Sequence, residues 1–387
     1  MGRRRDRNPG VRARQREEAR EREALERRFK DRLEVAPELA RAVTFTPNEV
    51  EPRHRWLRYR QGFARALVDR FREIARPGRG PILDPFSGTG TVPLAVAQRG
   101  GHGLGVEALP VLAFLARSKG ATTPPPPLPD LPDARTFEDW ARRLEHPLHR
   151  AALLAAAAFT VTGLGRRREK TPPPTELLLS SLAAISDDVS TPCPGRIDLV
   201  AGDARRLPLA DGIAPGIVTS PPYLARYDYE RNLAPLTRLF SIWHPSRTGR
   251  RGLAATQVRA HRGAGRRDWS AQPHPAAAEA TERLREAGQA KLAGIVRSYF
   301  EDLDLALAEM ARVLAPGAPA WIVIGGSHLE RVYVPADLIL AEMATEAGFR
   351  VERLAVAREL SDQARRLGSL GPMATRETIV ALRKPRV

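Results

Sequence analysis

The stretch GPILDPFSGTGTVPLAVAQRGGHGLGVEALPVLAFLA, residues 80–116, restricts the fold more than any other part of the chain. It reads in order as an apolar strand, a glycine-rich turn, a helix, a second strand that ends in Glu107, and a second helix. Strands that alternate with helices in this way form parallel sheets with helices on both faces. The stretch therefore predicts a βαβα unit that opens a doubly wound, Rossmann-like α/β sheet.

Later segments supply the rest of this sheet. RIDLVAGDARRLPL (196–209) and GIAPGIVTSPPY (212–223) each contain an apolar strand, and a further strand is expected at AWIVIGG (320–326). Two terminal strands are predicted around RVERLAVA and ETIVALRK. Helices are predicted over 61–75, where Phe63, Leu67, Phe71 and Ile74 share one face, and near 335–347.

Proline runs and charge mark the divisions of the chain. TTPPPPLPDLPD (122–133) cannot be helix or central strand, and it opens a stretch that reads as a mostly helical insertion. We divide the chain into a basic charged arm (1–35), the first part of the catalytic domain (36–120), the helical insertion (121–195), two further strands with the loop after them (196–225), a basic insertion (226–290), and the remainder of the sheet (291–387).

The charge of the chain indicates a polyanionic partner. Lys and Arg number 62 against 45 Asp and Glu, which gives a formal net charge of +17. Arginine richness from a biased genome is the alternative explanation. One cysteine excludes disulfides and thiolate metal clusters within the chain, and the eight histidines lack ligand spacing, so no metal site is predicted. With no membrane-length apolar run and no signal sequence, we expect a cytoplasmic protein without a membrane partner.

Polar residues follow three successive strands of the predicted sheet. The turn Asp84–Thr91 (DPFSGTGT) carries glycines that allow close approach to a ligand, although an ordinary tight turn would explain Gly88 and Gly90 as well. It is neither a dinucleotide fingerprint nor a P-loop. Glu107 could accept hydrogen bonds from both hydroxyls of a ribose, and Asp203 could accept one from an adenine amine. Either acid could instead cap a helix.

Ser220-Pro221-Pro222-Tyr223 leaves another strand through two prolines, which remove two backbone donors and fix two φ angles. Taken alone, such a pair most often ends a strand. Here it follows GDA (202–204) and lies about 130 residues after the glycine-rich turn, and we infer that the rigid loop has a functional role.

The order DPFxGxGT, an acid after the second strand, GDA, and then TSPPY resembles the S-adenosylmethionine-dependent DNA amino-methyltransferases, which modify cytosine-N4 or adenine-N6. The resemblance covers roughly 43–120, 196–230 and 291–383, and it includes TFTPNEVEPRHRWLRYRQGF (from 44), similar to the family segment that packs over the methionine part of the cofactor. It implies a Rossmann-like methyltransferase sheet with S-adenosylmethionine as cofactor. The cofactor-binding residues it implies are Phe45, Thr46, Asp84, Phe86, Gly88, Gly90, Thr91, Glu107 and Asp203.

The same resemblance makes Ser220, Pro221, Pro222 and Tyr223 the catalytic loop. Acceptors at Ser220 Oγ and the Pro221 carbonyl would orient an exocyclic amine, and Tyr223 would stack on a base rotated out of the duplex. Within that family, serine in the first position of this loop favours cytosine-N4, and the partner that the resemblance implies is double-stranded DNA. Adenine-N6 methylation, RNA guanine-N2 methylation, and a non-catalytic nucleic-acid-binding protein on the same scaffold are the alternatives, in that order.

Target recognition is expected where the scaffold is interrupted. The stretch 247–267 has seven arginines and no acid, so it can neutralise phosphates and read guanine edges, unless it is a basic loop without base contacts. The helical insertion is the other candidate. The resemblance implies a role in restriction-modification or phage defence, and a restriction endonuclease would be a separate chain because no nuclease motif is present. The arginines predicted to bind nucleic acid are Arg247, Arg250, Arg251, Arg259, Arg262, Arg266 and Arg267.

Overall fold

The computed structural model describes residues 24–59, 61–160, 172–224, 229–245, 258–260, 275–330, 332–359 and 375–386. In these parts of the chain the strands are β1 (Leu33–Val35), β2 (Pro81–Asp84), β3 (His102–Glu107), β4 (Arg196–Ala201), β5 (Gly216–Thr219), β6 (Pro319–Gly325), β7 (Ser327–Leu329), β8 (Val332–Val334), β9 (Arg350–Glu359) and β10 (Arg376–Arg383).

The same described parts of the chain contain ten α-helices. They are α1 (Arg65–Ala75), α2 (Thr91–Gln98), α3 (Pro110–Ser118), α4 (Phe137–Arg143), α5 (Pro147–Ala158), α6 (Pro174–Val189), α7 (Tyr229–Trp243), α8 (Pro275–Glu286), α9 (Ala290–Val313) and α10 (Ala336–Glu346). None of the described helices is long and apolar enough to cross a membrane.

Eight strands form one sheet in the order β1-β9-β10-β6-β5-β2-β3-β4. Neighbours run parallel except at β10, which is antiparallel to both β9 and β6. The carboxyl ends of β2, β3, β4 and β5 therefore lie along one edge. The predicted α/β class and the βαβα unit at its centre are confirmed.

Both faces of the sheet are covered, as expected for parallel strands. Successive residues alternate between the faces: Ile82 packs in a cluster with α1 and α2, whereas Leu83 packs in a second cluster with α9 and α10. In α1 the fully buried positions are Leu67, Val68 and Phe71. Ile74, predicted on the core face, is 48% exposed in the last turn of the helix.

A third apolar cluster joins the helical insertion to the rest of the protein. Helices α4, α5 and α6 pack with α3, with α7, and with Trp56, Leu57 and Tyr59 of the segment before α1. The described part of the insertion is helical, as predicted, but its apolar core is continuous with elements from both ends of the catalytic sequence. The insertion therefore supports the segment that leads into α1.

The described end of the basic arm belongs to the sheet. Residues 1–23 lie outside the described residues, whereas β1 pairs in parallel register with Leu354, Ala355 and Val356 of β9. β1 is only three residues long and lies among charged residues. It therefore shows no alternation of apolar and polar residues from which a strand could be predicted.

Candidate active site

A cleft opens at the carboxyl ends of the parallel strands, where open α/β sheets bind their ligands. Its walls come from the segment before α1, the turn between β2 and α2, and the loops after β3, β4 and β5. The cavity at its base has a volume of about 80 Å³ and is open to solvent. The residues that line it are Tyr59, Gln61, Gly62, Phe63, Asp84, Pro85, Phe86, Ser87, Gly88, Thr89, Thr91, Glu107, Ala108, Leu109, Gly202, Asp203, Ala204, Ser220, Pro222 and Val258.

The glycine-rich turn requires its glycines for two reasons. Gly88 and Gly90 have φ of 53° and 79°, in the left-handed region that side chains rarely adopt. A Cβ at Gly90 would also lie 2.7 Å from the Cβ of Ala116 on α3. The turn is fixed from behind by the fully buried Lys119, whose Nζ donates to the Thr89 carbonyl over 2.8 Å. Burial lowers the pKa of Lys119 to about 7.

Glu107 joins the turn to the end of β3. Its carboxylate oxygens accept hydrogen bonds from the backbone N–H of Gly88 at 2.7 Å and of Leu109 at 2.8 Å. Burial nevertheless raises the pKa of Glu107 to about 7, because these two hydrogen bonds and a third from Ala108 do not offset the loss of water. The three backbone donors leave the carboxylate able to accept a further hydrogen bond from a ligand in the cleft.

Asp84 ends β2 and holds the neighbouring strand in place. Its Oδ1 accepts from the Thr219 hydroxyl at 2.6 Å and from the Phe86 N–H at 3.0 Å. Burial raises the pKa of Asp84 to about 7 as well. Thr219 directly precedes Ser220. The hydrogen bond between Asp84 and Thr219 therefore connects the glycine-rich turn to the SPPY loop at the same edge of the sheet. The structure thus brings the two predicted motifs into one cleft.

Asp203 also lines the cleft, where Arg205 holds its carboxylate in a 2.7 Å ion pair. Arg205 bridges in turn to Asp302 on α9, which is fully buried. Asp302 accepts three hydrogen bonds from Arg259, at 2.8 to 3.0 Å. Asp203 therefore has a defined orientation, and Val258, beside Arg259, forms part of the cleft wall.

One of the arginines predicted to bind nucleic acid has a different role. Arg259 is 7% exposed, and Asp302 engages both its backbone and its guanidinium, so it stabilises the fold rather than presenting its charge to phosphates. We remove it from the predicted surface. The other predicted arginines, Arg247, Arg250, Arg251, Arg262, Arg266 and Arg267, lie outside the described residues.

The segment that resembles the methionine-covering part of the family lines the cleft, but not through the residues first chosen. Phe45 is buried in the cluster around the helical insertion, and Thr46 is exposed at the start of a short 3-10 helix. Tyr59, Gln61 and Phe63 line the cleft instead. Phe45 and Thr46 do not line this cleft, because the 3-10 helices Thr46–Glu49 and His54–Trp56 lie between them and Tyr59, and their role in cofactor binding stays a prediction. Tyr59, Gln61 and Phe63 belong to the same quoted segment, so the segment as a whole indicated the cleft correctly.

Ser220 and Pro222 face the cleft beyond the end of β5. Pro221 is buried, and the Tyr223 hydroxyl donates to Glu377 on β10 at 2.6 Å. The loop is thus held at its base by Asp84 and Thr219 and at its far end by Tyr223. A loop fixed in this way can present acceptor atoms at defined positions.

The cleft also offers polar groups that the protein itself leaves unsatisfied. Gln61 Oε1, Ser87 Oγ and Thr89 Oγ1 are buried in its lining and have no hydrogen-bond partner. Buried polar atoms of this kind are costly unless a ligand or water satisfies them. Together with the carboxylate of Glu107, they fit a ligand with ribose hydroxyls and a charged amino-acid end. In the described part of the chain no group of His, Cys, Asp or Glu has metal-binding geometry.

The sheet, with β10 antiparallel between β6 and β9, and the cleft at the carboxyl ends of its parallel strands have the α/β architecture that the motifs predict. No family model matches the chain.

Two Type II methyltransferases are similar to part of the chain. M.AvaI of Nostoc sp. is 37% identical over 90 residues, which are 23% of this chain and 19% of M.AvaI. M.BsoBI of Geobacillus stearothermophilus is 35% identical over 79 residues, which are 20% of this chain and 16% of M.BsoBI. The chain thus spans less than a fifth of the length of these curated relatives.

Two solved structures are also similar. A SAM-dependent methyltransferase from Methanosarcina mazei is 12% identical, with a TM-score of 0.32, over 79% of this chain and 93% of its own. A putative DNA modification methylase from Thermus thermophilus is 22% identical, with a TM-score of 0.19, over 23% of this chain and 37% of its own.

Proposed function

We propose that the protein transfers a methyl group from S-adenosylmethionine to the exocyclic amine of a base in double-stranded DNA. The observation that carries this proposal is a single cleft lined by the glycine-rich turn, by Glu107 and by Ser220 of the SPPY loop. The names of the two Type II relatives support it. A binding protein without catalysis would have no need of both sets of residues in one cleft.

When bound, the cofactor supplies a methyl on a sulfonium, which is already activated for transfer. The protein must therefore place the amine nitrogen in line with that methyl, and position is its main contribution. Glu107 would hold the ribose of the cofactor and Asp203 its adenine. Gln61, Ser87 and Thr89 would make hydrogen bonds to its remaining polar groups. These residues would hold the cofactor on their own side of the cleft.

An exocyclic amine is a poor nucleophile because its lone pair is delocalised into the ring. Ser220 Oγ and the carbonyl of the buried Pro221 would accept its two hydrogens and draw the nitrogen towards tetrahedral geometry. The prolines keep that carbonyl fixed, because each has its φ set by its ring. Tyr223 would stack on the rotated base, an interaction worth about 1–3 kcal/mol in single-strand binders.

Within this reaction we propose cytosine-N4 as the target, on the basis of Ser220 in the first position of the loop. Adenine-N6 is the second candidate and keeps every role above unchanged. The acid-free stretch 247–267 supports a polyanionic substrate, and we propose that its arginines outside the described residues contact the DNA. A restriction endonuclease, if there is one, would be a separate chain.

Cofactor affinity should increase with pH between 6 and 8. Ribose hydroxyls donate to the charged form of Glu107, and burial raises the pKa of that carboxyl to about 7. At pH 6 most of the protein carries the protonated form, so we expect a dissociation constant about tenfold higher than at pH 8. Isothermal titration of the cofactor measures this. In Glu107→Gln the affinity should be weak and nearly independent of pH, and an unchanged profile in that variant would contradict the role of Glu107.

The product nucleoside tests the proposed reaction. Purified protein is incubated with the cofactor and either mixed genomic DNA or total RNA at one salt concentration, and the nucleosides are identified by mass spectrometry. We expect N4-methylcytosine in DNA. N6-methyladenine would keep the mechanism and change the base, methylated guanine in RNA alone would move the substrate to RNA, and no methylated product despite cofactor binding would count against the proposal.

A further inference from the structure

The hydroxyl of Tyr223 is fixed by a residue 154 positions away in the sequence. It donates to Oε1 of Glu377 at 2.6 Å, and Glu377 is 4% exposed. The other oxygen of Glu377 accepts from Nε of Arg358 at 2.5 Å. The carboxylate is therefore held from two sides, and it orients the tyrosine hydroxyl with a charge-assisted hydrogen bond.

The register of the antiparallel strands places these groups together. Glu377 on β10 lies opposite Arg358 on β9 and opposite Gly325 at the end of β6. Gly325 leaves room for the tyrosine ring, because a Cβ there would lie 3.2 Å from its Cε2 atom. Ser327 holds the next residue, since its hydroxyl donates to the Leu224 carbonyl at 2.8 Å.

The ring of Tyr223 is thus packed on one side against a glycine and tied at its far end. The hydroxyl oxygen lies on the axis about which the ring turns, so its hydrogen bond fixes where the ring lies and not the plane of the ring. Packing against Gly325 limits the rotation that remains. A ring held in a defined place is what stacking on a rotated base requires.

We propose that Glu377 is a positioning residue for methyl transfer, which it supports by fixing the place at which Tyr223 meets the target base. This inference rests on the proposed function. Glu377 lines no part of the cleft and acts only through the tyrosine hydroxyl. The antiparallel strand β10 thereby contributes to the site from the neighbouring part of the sheet.

A double-mutant cycle tests the coupling. Glu377→Ala and Tyr223→Phe should each lower kcat for methyl transfer to genomic DNA about tenfold, the loss expected for one hydrogen bond to a charged group. The double variant should lose no more than either single variant, and the KM for the cofactor should stay unchanged in all three. Glu352→Ala is the matched control. Glu352 lies on β9, where its carboxylate pairs with Arg383 of β10, and this variant should keep wild-type kcat.

A second readout does not depend on activity. In protein labelled at the tyrosine Cζ carbon, the Tyr223 resonance is identified by its absence in Tyr223→Phe, and it should shift in Glu377→Ala but not in Glu352→Ala. Additive losses in kcat, or a resonance that does not move, would overturn the proposal. If the wild-type protein transfers no methyl while the resonance shifts as expected, the proposed function fails, the contact stands, and the positioning role falls with the function.

Discussion

Ser220→Ala should lower kcat for methyl transfer by about two orders of magnitude, the loss typical when one preorganised hydrogen-bonding group is removed from an active site. Ser220 lines the cleft beyond β5, and in the proposed reaction its hydroxyl would accept a hydrogen from the target amine. The change removes a single oxygen atom and leaves both prolines in place. The cofactor dissociation constant should therefore remain that of the wild type.

Single-turnover kinetics with methyl-labelled cofactor and titration calorimetry separate the two quantities. Ser190→Ala is the matched control, because Ser190 is exposed at the end of α6 and its hydroxyl donates only to the Asp187 carbonyl. A loss of less than about threefold in Ser220→Ala would show that the hydroxyl takes no part in the reaction. A weakened cofactor affinity with unchanged kcat would instead assign Ser220 to cofactor binding.

Asp188→Ala should destabilise the protein by about 2–5 kcal/mol, because it leaves the buried N–H groups of Arg53 and Trp56 without an acceptor. Asp188 is 2% exposed on α6. Its two oxygens accept from the Arg53 backbone at 2.7 Å, from the Arg55 guanidinium at 2.7 and 3.0 Å, and from the Trp56 indole at 2.9 Å. One carboxylate thus ties the helical insertion to the segment that leads to the cleft.

Urea denaturation measures the free energy of unfolding, and Asp187→Ala is the control because the neighbouring Asp187 is exposed on the same helix. The control should differ from wild type by less than about 0.5 kcal/mol. Asp188→Ala should also weaken cofactor binding, since Tyr59 and Gln61 follow the tethered segment and line the cleft. A loss of stability below about 1 kcal/mol would mean that the four hydrogen bonds are replaced by water at little cost.

The sequence predicts those parts of the site that depend on local order. A strand followed by a glycine-rich turn places Asp84 and Gly90 at the carboxyl edge of the sheet, and the next strands bring Glu107, Asp203 and Ser220 to the same edge by the rules of parallel topology. The place of each of these residues in the sheet can be predicted from the few residues on either side of it.

Contacts between distant segments could not be predicted in this way. Tyr223 and Glu377 meet only because β10 lies antiparallel beside β6. The pairing of Arg259 with Asp302 depends on where residues 258–260 lie against α9. Charge alone suggested that Arg259 binds phosphates, but a buried carboxylate is an equally good partner for a guanidinium. Tyr59 lines the cleft and Phe45 packs in the cluster around the helical insertion. Tertiary packing decides this, and the sequence pattern does not show it.

The claim on which the account rests is that the cofactor binds in the cleft between the glycine-rich turn and the SPPY loop. Photolabelling tests it most directly: the protein is irradiated with methyl-labelled S-adenosylmethionine, digested, and the labelled peptide identified by mass spectrometry. We expect label on peptides that contain Tyr59–Phe63, Phe86 or Ser220–Tyr223, and none in Gly90→Val, whose side chain would collide with Ala116. Label confined to any other surface, or equal label in the variant, would contradict the account.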